Sequence, residues 1–307
     1  GLTGAAFGLG FLFGPLISFV SLEFADDLSI PAYIAAVYSF FSILLTLFMF
    51  KETLPKEKRG QGMRISPLMA LAMLRRPQIR VLLVLMFAQQ VVFYGFETLL
   101  GLFTLSRLGL LGQGNAILFL WVGVILVMVQ GRFIGKWTRK YGERKVVLGA
   151  LAALAIGLLL LSATPNQPHI LYVRERVERE IAIQNPTSAE AIIGDINITL
   201  PPNEGRSIAG VLWIFAAVIP LAVGSGLIRA SLNSLMTKRV APTEYGRVLG
   251  VSASFVSAAN AIAPVAGALL FQAYGSGAPF LVGGLLMSAF FVFALLTIQQ
   301  PQAQPAV

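Results

Sequence analysis

The chain alternates long apolar runs with short polar intervals, and that alternation predicts its elements. The apolar runs are Gly1 to Val20, Pro31 to Phe50, Arg80 to Leu105, Asn115 to Gly135, Val146 to Ala163, Ile208 to Met236, Val248 to Ala273 and Ala278 to Ile298. Each comes close to or exceeds the roughly 20 residues that carry a helix across a bilayer core. In lipid a helix satisfies its own backbone hydrogen bonds, so runs of this kind read as helices. The predicted fold class is an all-α polytopic membrane protein with eight transmembrane helices.

The intervals differ in kind. Leu22 to Ile30 is acidic, whereas Lys51 to Arg80 is basic, with an apolar middle, Pro67 to Leu74, that predicts a short helix lying in the membrane interface. Gly131 to Lys145 reads as a short, strongly basic loop. Thr164 to Ser207 is long and includes VRERVEREIAI, a predicted charged helix. The tail, residues 299–307, is polar and Pro-rich and is expected to be disordered. Within the first run, Gly4/Gly8 and Gly10/Gly14 have the small-xxx-small spacing that lets helices approach closely in lipid, and Pro15 is expected to bend the helix.

Composition removes the soluble alternatives. Only 12% of the 307 residues are charged and 56% are hydrophobic, against about 25% charged in soluble domains. The net charge of +9 suggests nucleic acid until its distribution is considered. Of the 23 Lys and Arg residues, 17 fall in the intervals 51–80, 131–145 and 237–247, while most acids fall in the others. Positive residues beside a span resist translocation, so this pattern reports topology and contact with anionic lipid. It places the intervals 51–79, 132–145 and 237–247 in the cytoplasm and residues 164–207 outside. No nucleic-acid partner is expected.

The chain has no Cys and a single His, His169, placed in an outside interval, so no thiol chemistry or zinc site is expected. It also lacks a phosphate-cradling Gly loop, H-E-x-x-H and G-x-S-x-G, so neither a cofactor nor enzymatic catalysis is expected.

Polar residues inside spans are costly and usually face the bundle interior. Glu97 is the one acid placed inside a span, and Gln90, Phe93, Tyr94 and Glu97 share a helix face by three- and four-residue spacing. That face suits a proton carrier or a cation-binding wall; the plainer reading is a solvated residue near the outer end. Asn260 is either a substrate contact or a link between helices. Arg229, four residues before Asn233, either faces a cavity or extends to the headgroups. Gln89 and Gln130 add polarity without a specific signal.

Two stretches resemble the major facilitator superfamily, in its drug:proton antiporter, tetracycline-resistance-type branch. GLGFLFGPLIS, with Gly10, Gly14 and Pro15, resembles the antiporter motif of that family's fifth helix, although Ser18 and Phe19 stand where the family has a glycine pair. The basic stretch with Gly131, Gly135, Trp137, Lys140, Gly142 and Arg144 resembles the gating loop between helices eight and nine, with Arg139 at the family's acidic position. KETLP at Lys51 and YGRVLGV at Tyr245 add to the likeness. The resemblance implies helices five to twelve of a twelve-helix transporter, lacking its first four. Residues 1–50 would then be the last two helices of the first half, 51–79 the linker, and 80–298 the six-helix second half. It also implies alternating access, a small-molecule substrate, protons as coupling ion and a monomer, with efflux of hydrophobic compounds the expected activity. Uptake by proton symport and a transport-inactive scaffold, with residues 164–207 binding a partner, are the alternatives.

Overall fold

The computed structural model describes residues 2–24, 29–51, 73–184, 198–241 and 244–298. Among these it is helical with connecting turns. α1 is Leu2–Phe24 and α2 Ile30–Met49; α3 is Pro77–Leu108. α4, Gly112–Met128, passes through a π-helical turn, Val129–Phe133, into α5, Ile134–Tyr141. α6 is Glu143–Ser162 and α7 Arg174–Gln184, the charged helix expected there. α8 is Ala209–Thr237, α9 Tyr245–Tyr274 and α10 Ala278–Thr297. Among the described residues seven helical stretches are long and apolar enough to cross a membrane, counting Gly112–Tyr141 as one. α1, at 23 residues, is the eighth long helix, and it continues through Pro15. The expected interfacial helix, apart from its last two residues, and the tail 299–307 lie outside the described residues.

The expectation of a loop at Gly131 to Lys145 is corrected. Gly131, Gly135, Arg139 and Lys140 are helical, and Arg144 already belongs to α6; Gly142, at φ +78°, is the single break. Basic side chains can reach water from a helix that extends beyond the lipid, and cations are favoured at a helix C-terminus. Composition therefore changes here well before the backbone does.

The core is built by close pairs. α6 packs most extensively on α8, then on α10, while α3 packs on α9 and α1 on α4. Small residues set the distances: a Cβ on Gly224 would lie 2.6 Å from the Ala150 carbonyl oxygen, and one on Gly157 would lie 2.6 Å from the Leu221 nitrogen. Between α1 and α4 the close approach is made by Gly8, against Val127, and by Gly123, against Leu12; Gly10 and Gly14 have open space. α2 buries no residue among those described and presents Tyr33, Phe40, Phe41 and Phe48 outward.

Side chains secure both ends. At the basic end the Arg76 guanidinium donates two 2.9 Å bonds to the Glu244 carboxylate, joining the start of α3 to that of α9. Lys238 pairs with Glu143, joining α8 to α6. At the other end Tyr172 is fully buried and its hydroxyl donates to the Pro201 carbonyl at 3.3 Å. It packs against Gly109, whose φ is +68° and where a Cβ would lie 2.1 Å from the Tyr172 ring. The His169 amide donates to the Leu108 carbonyl at 3.0 Å, so the insert is tied to the end of α3.

Candidate functional site

A cavity of about 750 Å³ opens among α1, α3, the π turn, α8 and α9. α3 contributes Gln89, Gln90, Phe93, Tyr94 and Glu97, and α8 contributes Ser225, Arg229 and Asn233. Asn260 of α9, Gln130 of the π turn, and Gly10 and Phe11 of α1 complete the polar and aromatic wall. All six residues singled out as a substrate or proton pathway, Glu97, Gln90, Tyr94, Asn260, Arg229 and Asn233, therefore share one cavity. They come from three helices.

The spacing of the helical positions accounts for the wall. Gln90, Phe93, Tyr94 and Glu97 recur at three and four residues, so one face of α3 lies toward the cavity. Glu97 lies about 16 Å from the last residue of α3, at 1.5 Å per residue, and is half-buried.

The Gln90 amide nitrogen donates to the Asn260 side-chain oxygen at 2.9 Å, a bond from α3 to α9. Asn260 is thus a link between helices and a cavity residue at once. The Asn233 side-chain oxygen accepts from the Ser252 hydroxyl at 3.4 Å. The buried side-chain oxygens of Gln89 and Gln130 have no hydrogen-bond partner. An unmet buried acceptor costs on the order of 1–3 kcal/mol, so both favour a polar occupant.

Of the antiporter-type residues, Gly10 lines the cavity, whereas Gly14 and Pro15 do not. Gly131, Gly135 and Arg139 line a second cavity nearer the basic end. Lys140, Gly142 and Arg144 line neither; Lys140 sits 5.0 Å over the Tyr141 ring and Arg144 donates to the Leu295 carbonyl at 3.1 Å. Sequence reasoning missed Phe11, Ser225 and the strategic placement of Gln89 and Gln130. The adjacent Gln pair in an apolar helix was the one available signal. Among the described residues no cluster of His, Asp and Glu could hold a metal ion.

A mixed polar and aromatic cavity thus lies inside a bundle of lipid-length helices. Residues 1–175 match the sequence profile of the Major Facilitator Superfamily, and the chain belongs to that family. By family and by its apolar spans it is an integral membrane protein of the bacterial inner membrane.

Among curated proteins it is similar to the tetracycline resistance protein, class D, of Salmonella ordonez, with 22% identity over 98% of this chain. It is also similar to the class B protein of Escherichia coli, with 24% identity over 99% of this chain. The class C protein of Escherichia coli shares 27% identity over 53% of this chain and 41% of its own length. The chain spans 65% of the length of the first two relatives.

Proposed function

We propose that this chain forms the central cavity of a proton-coupled exporter of small hydrophobic compounds, working by alternating access. The observation that carries the reading is the convergence of Glu97, Gln90, Tyr94, Asn260, Arg229 and Asn233 on one cavity of about 750 Å³, within the ~300–1,000 Å³ range of small-molecule sites. Aromatic rings and amides bind an amphipathic compound, and Glu97 alternates between its charged and protonated forms as the cavity changes the side it faces. The intervals 51–79, 132–145 and 237–247 face the cytoplasm, and two bundles rock about the midplane site. Residues 1–50 close one bundle, 51–79 link the two, and 80–298 form the other, in a monomer.

The test is Glu97→Gln in the full-length protein, which keeps shape and hydrogen bonding but removes titration. Because the similar proteins are named for tetracycline resistance, labelled tetracycline is the first probe. The variant is expected to reach the membrane normally and to lose flux driven by a proton gradient by at least about tenfold, or 1.4 kcal/mol. Exchange of labelled for unlabelled compound without a gradient is expected to survive. Unchanged gradient-driven flux would refute the role given to Glu97, and gradient-driven accumulation in the opposite direction would replace export by uptake.

A further inference from the structure

The second cavity, about 580 Å³, lies between the π turn with α5 and the last turns of α8. One wall carries Arg132, Lys136 and Arg139, spaced by four and three residues and hence on one helix face. The opposite wall carries Ser231 and Ser234, three apart on α8. No acidic residue lines it. Glu143, outside the lining, accepts from the Ser234 hydroxyl at 3.3 Å and is paired with Lys238.

Two further observations single out this cleft from the other basic surfaces. Ser231 is 2% exposed and its hydroxyl oxygen has no hydrogen-bond partner. Gln130, 8% exposed, leaves its side-chain oxygen in the same condition. Both line the cleft. Gln130 sits in the π-helical turn Val129–Phe133, an irregularity common at functional sites. Arg139, which lines the cleft, donates its Nε–H to the carbonyl of Gly135 at 3.2 Å. Gly135 has nothing within 4 Å of a notional Cβ, so the wall is open there.

We propose that this cleft is a binding site for a phosphate-type oxyanion, either a soluble phosphate or the phosphate of a membrane lipid headgroup. Two helix C-termini lie nearby and oppose an anion with about half a charge each. Three full cations outweigh them. The excess exceeds what a single carboxylate neutralises, and it suits a group with several acceptor oxygens, which Arg grips in pairs. The Ser231 hydroxyl donates to one such oxygen, and a half-turn of the Gln130 amide brings its NH₂ to another. Gln130 also lines the central cavity, so occupancy of this site touches the transport path directly.

The experiment melts purified full-length protein under two conditions. One is neutral detergent with inorganic phosphate titrated at constant ionic strength. The other is nanodiscs of phosphatidylcholine alone, or with phosphatidylglycerol at a 7:3 ratio. A saturable rise in melting temperature with phosphate identifies a soluble anion, and a rise with phosphatidylglycerol alone identifies the lipid headgroup.

Arg132→Gln with Lys136→Gln should weaken the response by about tenfold or more, and Ser231→Ala by several-fold, as loss of charge-assisted and single hydrogen bonds predicts. Lys51→Gln with Lys145→Gln removes the same charge from outside the cleft and should leave the response intact. Should the double variant fail to reach the membrane, Ser231→Ala, which removes one oxygen atom, decides alone. No response to either probe, or an equal loss in the Lys51/Lys145 variant, overturns the site.

Discussion

Gly224→Ala probes the contact that holds the second half of the chain together. Gly224 lies in α8 against α6, and its added methyl would meet the Ala150 carbonyl oxygen at 2.6 Å and the Leu154 nitrogen at 2.8 Å. Both are backbone atoms, so no side chain can swing aside. Ordinary contact begins at 3.4 Å, so the two helices would have to part by roughly 0.8 Å at this level. Overpacking of this kind costs about 1–3 kcal/mol, against a gain of about 0.5–1 kcal/mol from replacing a helical Gly by Ala. A net loss of about 0.5–2 kcal/mol is expected.

The control is Gly149→Ala in α6, where nothing lies within 4 Å; it keeps the helical gain without the clash. Reversible unfolding in mixed micelles, read by helical circular dichroism, should place the two variants on opposite sides of the parent protein. α8 also carries Arg229 and Asn233 into the central cavity, so the Gly224 variant should lose transport in proportion to its displacement. If Gly224→Ala is as stable as Gly149→Ala, the backbone contact between α6 and α8 is wrong.

Three other outcomes are expected. In a double-mutant cycle of Gln90→Leu and Asn260→Leu, unfolding should show a coupling of about 0.6 kcal/mol, and at most ~1.7; zero coupling would remove the α3–α9 bond. The Arg76 guanidinium hydrogen-bonded to Glu244 holds that carboxyl below its ordinary value of 4.5. A depressed carboxyl stabilises the fold above its ordinary range and stops doing so as pH falls through its folded value. Arg76→Gln should therefore melt below the parent protein at pH 7, with the difference closing as the pH falls below the ordinary carboxyl value; a gap that persists in acid would assign it to packing. Reporter fusions after Lys140 and after Ser188 should read cytoplasmic and external respectively, and both on one side would end the proposed topology.

The sequence alone determined that the chain crosses the membrane, roughly where it does so, and the family it belongs to. Lipid offers the backbone no partners, so each crossing needs about 20 apolar residues, and nothing else in the chain can imitate that. Where composition and backbone part company, sequence reading stopped short. The helix Gly112–Tyr141 continues through about three turns of basic character, from Gly131 to Tyr141, before it breaks at Gly142, because basic side chains alter solubility without breaking hydrogen bonds. The π turn that brings Gln130 to both cavities left no mark that a helical pattern would show.

Tertiary structure decided which polar groups meet. Gln90 and Asn260 are 170 residues apart, and periodicity, which groups Gln90, Phe93, Tyr94 and Glu97 on one face of α3, does not say which helix that face meets. The neighbouring Gln89 and Gln90 illustrate this: both were visible as polar positions, but only the packed bundle gives one a partner on α9 and leaves the other's oxygen unmet. The same holds for the glycines of α1, where Gly8 rather than Gly14 takes the close contact. In water the hydrophobic effect would have marked the inward face in the sequence; in lipid, shape and a few hydrogen bonds choose it, and they exist only between helices already assembled.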